Sequence, residues 1–177
     1  MKKQNMKLVL SALFIALGII LPFITMQIPR IGNMLLPMHI PVMLCGFICG
    51  GPYGFIVGLI VPLLRSVLVG MPLMMPTAVS MSPELAVYGL VTGYVYQKLK
   101  DRRFGIYVAL LTAMILGRIV WGGVSIGLFS LMGNSFTWKL FVMNGFVNAI
   151  PGIVIQLIFI PLLVKRLKRN KEVGAFL

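Results

Sequence analysis

The chain has 177 residues, of which 59% are hydrophobic, and its mean hydropathy is +1.02. A soluble domain of this length cannot bury that much apolar side chain, so the composition excludes a soluble protein. It predicts an all-α integral membrane protein that forms one domain over residues 1–177. The net charge of +13 does not indicate nucleic-acid binding, because most of the basic residues lie in clusters at the ends of apolar segments.

Six apolar segments predict a bundle of six transmembrane helices, at about 6–25, 36–50, 53–69, 81–99, 104–131 and 136–164. The first segment follows basic residues, as in a signal peptide, but no small-x-small cleavage site comes after it, so we expect a retained helix. The fifth segment is expected to break near Gly122 and Gly123.

Three basic clusters fix the predicted orientation. With six helices they all fall on one side of the membrane, which places both termini in the cytoplasm. The loops at 26–35 and 70–80 and the turn at 133–135 then face outward. The clusters consist of Lys2, Lys3 and Lys7; Lys98, Lys100, Arg102 and Arg103; and Lys165, Arg166, Lys168, Arg169 and Lys171.

Polar residues inside the apolar segments converge on one depth. A helix rises about 1.5 Å per residue, and counting from the cytoplasmic ends brings them to a layer just outward of the midplane. Such residues usually face a cavity or one another. The predicted substrate-binding residues are Arg65, Arg118, Glu84, His39, Asn33, Tyr88, Trp121, Asn144 and Asn148.

The charges of this layer suggest an anionic ligand. Arg65 and Arg118 together exceed the charge of Glu84, and the surplus suits a carboxylate or phosphate, which arginine binds bidentately. Arg30 and Lys139 at the outer rim could steer an anion inward. In the alternative, one arginine pairs with Glu84 and the other extends to the outer surface. Structural roles are also open for the histidine, asparagines and aromatic residues of the layer.

A loop rich in methionine and proline follows the third segment and suits a flexible apolar lid. Its predicted gate residues are Met71, Pro72, Met74 and Met75, although a plain connection is the alternative. The sequence has no phosphate-binding loop, no paired carboxylates and no cluster of metal ligands. We therefore expect a non-catalytic binder without a metal or cofactor, which needs partner proteins to move its ligand.

The size, the six segments and the Ala12-x-x-x-Ala16 pair of the first segment resemble the S components, the substrate-binding membrane subunits, of energy-coupling factor (ECF) vitamin transporters. The resemblance implies a multi-pass protein of the bacterial plasma membrane. It also implies that Ala12 and Ala16 dock against a transmembrane coupling subunit, and that two ATPase subunits drive toppling of the S component. The loops at 26–35 and 70–80 would gate an outward-facing site.

The segments 35–46 and 62–72 are similar to those of pantothenate-type S components, although Arg65 departs from that pattern. The resemblance therefore implies pantothenate or another small carboxylate as the ligand. Folate, pyridoxine, a queuosine precursor and niacin are alternatives, and the small number of aromatic residues disfavours riboflavin. A membrane scaffold protein and a lipid-modifying membrane enzyme are the alternatives outside transport.

Overall fold

A computed structural model describes residues 2–25, 34–102, 104–135 and 137–169, which form helices, turns and loops without a β-strand. The prediction of an all-helical chain is confirmed for these ranges. The helices are α1 (Lys2–Ile20, continued by a 3₁₀ turn, Leu21–Thr25), α2 (His39–Cys49), α3 (Gly51–Val69), α4 (Val79–Leu99), α5 (Gly105–Leu131), α6 (Trp138–Val142) and α7 (Ile150–Arg169).

Within the described ranges, four stretches are long and apolar enough to cross a membrane: Lys3–Ile24, Gly51–Val69, Gly105–Leu131 and Trp138–Lys168. The fold is therefore that of a membrane protein. Helix α2 is apolar but has only 11 residues. Helix α4 is long enough, yet it carries polar residues along its length. Six crossings remain a prediction.

Helix α4 lies at the centre and packs against α2, α3 and α5. Glycines let the backbones approach closely there: a Cβ added to Gly89 would collide with Gly54 of α3, and one added to Gly46 of α2 would collide with the Gly89 carbonyl. The Ser82 hydroxyl also donates to the Leu59 carbonyl at 2.7 Å. A central helix surrounded by protein can carry polar side chains that a lipid-facing helix cannot.

Helix α1 packs against α2 and α3 through a stripe of small and aromatic residues, and its opposite face is open. Ser11, Phe14 and Gly18 are buried, and a Cβ added to Gly18 would lie 2.7 Å from Cγ1 of Val61. The predicted docking residues, Ala12 and Ala16, are both exposed on the other side.

Three segment boundaries differ from the sequence prediction. The loop predicted over 70–80 is shorter than expected, because a π-type turn, Met74–Ala78, with one extended residue at Met75, leads into α4. Helix α5 runs without the expected break at Gly122 and Gly123, since glycine lowers helix stability only modestly. The sixth segment is divided instead: a π-helical turn, Met143–Val147, separates α6 from α7, and Pro151 occupies the first turn of α7, where a proline is tolerated.

Candidate functional site

A cavity of about 460 Å³ lies where α2, α4, α5 and the broken α6–α7 segment meet. This volume falls within the range of about 300–1,000 Å³ typical of small-molecule sites. The lining residues combine apolar side chains with hydroxyl, amide and charged groups. They are Met34, Leu36, His39, Pro76, Thr77, Ser80, Met81, Glu84, Arg118, Trp121, Ser125, Phe129, Leu140, Asn144 and Asn148.

A buried ion pair forms one wall of the cavity. The Arg118 Nη1 group of α5 donates to Oε1 of Glu84 on α4 at 2.9 Å. The Tyr88 hydroxyl, one turn further along α4, donates to the same oxygen at 2.9 Å. The Tyr88 ring fits against α5 because residue 117 is glycine, and any Cβ there would collide with the ring. Two donors thus hold one carboxylate oxygen of Glu84 in place.

His39 lies beside this pair at the start of α2, where its backbone N–H donates to the Leu36 carbonyl at 3.1 Å. Its Nε2 is 3.8 Å from Oε1 of Glu84, and its ring centroid is 5.3 Å from that of Tyr88. The side chain is 1% exposed, and neither ring nitrogen has a hydrogen-bond partner within the described part of the chain. A buried polar group without a hydrogen bond is costly, and His39 also lines the cavity, which makes this imidazole a candidate ligand contact.

The other side of the cavity comes from α5 and from the segment that joins α6 to α7. The Arg118 guanidinium carbon lies 5.9 Å from the Trp121 ring centroid, and the Trp121 ring stacks on Phe141 at 6.0 Å. Asn148 Nδ2 donates to Asn144 Oδ1 at 3.2 Å, as their spacing of one helical turn allows. Both amides are exposed and line the cavity, so this side offers hydrogen-bond donors and acceptors.

Two of the predicted binding residues lie apart from this cavity. Tyr88 reaches it only through Glu84 and lines a second cavity, of about 160 Å³, between α5 and α7. Arg65 points to the carboxyl end of α1 instead, where Nη1 donates to the Met71 carbonyl at 2.6 Å and Nε donates to the Ile19 carbonyl at 3.3 Å. Asn33, like Arg30, lies outside the described residues.

The position of Arg65 changes the electrostatics expected from the sequence. Among the lining residues, all of which belong to the described ranges, Arg118 and Glu84 are the charged ones. They form a pair, so these side chains leave the cavity wall without the expected surplus of positive charge. The reason is geometric: Arg65 reaches backbone carbonyls near its own helix end and not the centre of the bundle.

The predicted gate loop contributes to the cavity through other residues than expected. Pro76 and Thr77 line it, whereas the side chains of Met71, Pro72, Met74 and Met75 are exposed or half-buried and are absent from the described lining. The π-type turn directs the later part of the loop inward. A gating role for the methionines stays a prediction.

The structure adds Thr77, Ser80 and Ser125 to the predicted site, and a helical pattern in the sequence points to all three. Thr77 and Ser80 precede Glu84 by seven and four residues, and Ser125 follows Arg118 by seven, so each set shares one helix face. The remaining lining residues outside the prediction are apolar, so no polar spacing in the sequence marks them. They are Met34, Leu36, Pro76, Met81, Phe129 and Leu140. Within the described ranges, no three His, Cys, Asp or Glu side chains come together as metal ligands would.

Neither the curated proteins nor the solved structures include a match to this chain. The family model described as ECF transporter, substrate-specific component, matches residues 6–164, nearly the whole chain. The match agrees with the resemblance stated from the sequence and with the helical membrane fold. The chain therefore belongs to the family of substrate-specific components of ECF transporters.

Proposed function

We propose that this protein is the substrate-binding subunit of an ATP-driven ECF importer in the bacterial plasma membrane. It captures a small vitamin or vitamin precursor from outside and delivers it through a coupling module. The observation that carries the proposal is a cavity whose wall holds the Arg118–Glu84 pair and His39, which has no side-chain hydrogen-bond partner among the described residues. A cavity lined by a buried ion pair inside a membrane bundle is typical of a binding site and is not needed by a scaffold protein.

The proposed topology has six crossings, with both termini in the cytoplasm and the cavity toward the outside. Lys7 lies 5.8 Å from the Tyr53 ring, and a Cβ added to Gly51 would meet the Tyr94 ring, so the first two basic clusters belong to one end of the bundle. Helix α7 begins at the other end, where a Cβ added to Gly152 would lie 2.6 Å from the Met34 carbonyl oxygen. Its basic C-terminal end therefore points back toward the first two clusters, in agreement with the positive-inside rule.

In this proposal the exposed Ala12 and Ala16 face of α1 contacts the transmembrane coupling subunit, and two ATPase subunits of the module hydrolyse ATP. Small residues four positions apart let a second helix approach closely in a membrane. The exposure of this α1 face supports the role, because none of the described helices covers it.

The proposed ligand is pantothenate or another small carboxylate. Arg118 can offer further N–H donors to a carboxylate, while His39, Thr77 and the Asn144–Asn148 pair can contact hydroxyl and amide groups. Because Glu84 balances the charge of Arg118, hydrogen bonding supports this choice more than net charge does. Folate, pyridoxine, a queuosine precursor, niacin and riboflavin remain the competing ligands.

Mass spectrometry of the small molecule released when gently extracted protein is denatured tests the proposal. A stoichiometric small carboxylate, pantothenate above all, is the expected result. A vitamin without an acid group would keep the transport function and refute the choice of ligand. A protein that is empty, and stays empty after incubation with a vitamin mixture, would contradict the transport function and favour a scaffold.

A further inference from the structure

Arg65 is 4% exposed and contacts three segments of the chain near the outer end of the bundle. Its two hydrogen bonds reach the Met71 and Ile19 carbonyls, and its guanidinium carbon lies 5.6 Å from the Phe23 ring centroid. We propose that Arg65 is a positioning residue that clamps the chain entering the cavity wall to the end of α1, so that the position of α1 controls the order of that wall.

The clamp acts directly after α3 ends. Gly70 adopts a left-handed conformation, with φ of 73°, and its N–H donates to the Ser66 carbonyl at 2.9 Å. This cap turns the chain so that the Met71 carbonyl faces back toward Arg65. The bond of 2.6 Å is charge-assisted, which makes it stronger than a bond between neutral groups.

The second anchor is the carboxyl end of α1. Ile19 is the penultimate residue of that helix, where α1 passes into the 3₁₀ turn and backbone carbonyls lose their α-helical partners. A guanidinium is favoured at such an end, and Arg65 Nε reaches the Ile19 carbonyl at 3.3 Å. One turn earlier on α3, Val61 contacts Gly18, so the same part of α1 is held at two successive turns of α3.

The clamped segment leads straight into the cavity wall. The Leu73 carbonyl accepts from the Ala78 N–H at 2.9 Å, which closes the turn that carries the lining residues Pro76 and Thr77. The side chains of Met71 and Leu73 are themselves exposed, at 37% and 69%, so they supply little packing to hold the segment. The hydrogen bond from Arg65 to the Met71 carbonyl therefore joins the Gly70 cap and the Ala78–Leu73 bond in holding the segment in place.

Movement of α1 relative to α3 would draw the Ile19 carbonyl away from Arg65 and loosen the wall. In transport, this would let a partner that binds α1 open the cavity, and that consequence rests on the proposed function. The clamp itself does not rest on the proposed function, because it requires neither a ligand nor a partner subunit.

The test uses the full chain in detergent without ligand, with Cys45→Ala and Cys49→Ala to remove the native thiols. A nitroxide on Leu73→Cys reports the clamped segment, and one on Ile115→Cys, which is 57% exposed on α5, reports the bundle. Electron paramagnetic resonance spectra are compared for Arg65→Gln, Arg65→Lys and Gly18→Val. Leu13→Phe adds volume at an exposed position of α1 and is the matched control.

We expect Arg65→Gln and Gly18→Val to shift the spectrum at position 73 toward the mobile component, with position 115 unchanged. Arg65→Lys should shift it less, because lysine keeps the charge and loses the planar fork of donors. Leu13→Phe should match the wild type. An unchanged spectrum at 73 in Arg65→Gln would overturn the clamp, as would equal mobility gains at both positions, which indicate general destabilisation. If Arg65→Gln does not fold, the spectra of Gly18→Val and Arg65→Lys at positions 73 and 115 test the clamp by the same criteria.

Discussion

Arg118 and Glu84 form a buried ion pair across the contact between α5 and α4, with Nη1 2.9 Å from Oε1. Removing one partner of such a pair leaves the other charge buried and uncompensated, at a cost of about 3–5 kcal/mol. We therefore expect Arg118→Gln and Glu84→Gln each to lower the thermal unfolding midpoint strongly. The double variant should recover part of the loss, because no lone charge remains. Additive losses in this double-mutant cycle would show that the pair is not coupled.

Arg118 is also expected to bind the ligand directly. Arg118→Ala should abolish measurable binding of the molecule released by the wild type, whereas Lys98→Ala, an exposed lysine outside the described cavity lining, should leave affinity unchanged. Titration calorimetry on detergent-purified protein measures both. Wild-type affinity in a folded Arg118→Ala variant would refute the site.

Substitution of His39 is expected to lower ligand affinity without lowering thermal stability. Because its ring nitrogens have no partner in the described ranges, His39→Phe removes no hydrogen bond and should leave the unfolding midpoint unchanged or higher. Ligand affinity should fall by about 10-fold, the value of a hydrogen bond of roughly 1.4 kcal/mol. Ser82→Ala is the control, since the Ser82 hydroxyl donates to the Leu59 carbonyl at 2.7 Å and the loss of this bond should cost stability without changing affinity. A His39→Phe protein that binds normally and unfolds early would indicate a structural histidine.

Glycine substitutions test the close contact at the centre of the bundle. Gly54→Ala would place a Cβ 2.5 Å from the Gly89 carbonyl, and relief requires α3 and α4 to separate, so we expect a large loss of thermal stability. Gly127→Ala, also in a helix, meets no atom within 4 Å and should be neutral or stabilising by about 0.5–1 kcal/mol. Equal effects at both positions would contradict the packing described for α4.

Docking to the coupling subunit is tested on α1. Ala16→Leu should leave ligand binding and thermal stability unchanged, because the residue is exposed in the isolated chain. Co-purification with the coupling subunit should decrease sharply, since leucine keeps the helices apart. Retained co-purification with both Ala12→Leu and Ala16→Leu would assign docking to another surface.

The helical fold was largely predictable because hydropathy over long segments is a strong signal. The division of the sixth segment was not, since Gly145 and Pro151 are tolerated in many membrane helices and only tertiary packing decides where the chain turns. The predicted depth along each helix placed Glu84, Arg118 and His39 close together, and they are neighbours in the structure. Depth does not show which way each side chain points around its helix.

Arg65 illustrates that limit. Its predicted depth is close to that of Arg118, which is why the sequence predicts one site for both charges. The direction of a side chain depends on helix rotation, which the otherwise largely apolar α3 does not reveal. By contrast, the polar spacing of Thr77, Ser80 and Glu84 would have identified the inward face of α4.

The polar character of the central helix α4 has a consequence for how the protein is made. Among the described helices of spanning length, α4 is not apolar enough to qualify as a membrane span, and Glu84 alone disfavours transfer into lipid. We expect α4 to leave the insertion machinery only together with α3, whose glycine face shields it. Biogenesis would then depend on a helical hairpin that assembles before its members enter the bilayer. We expect a variant with a weakened α3–α4 contact to insert poorly into the membrane and to be degraded, so that its defect lies in biogenesis and not in transport.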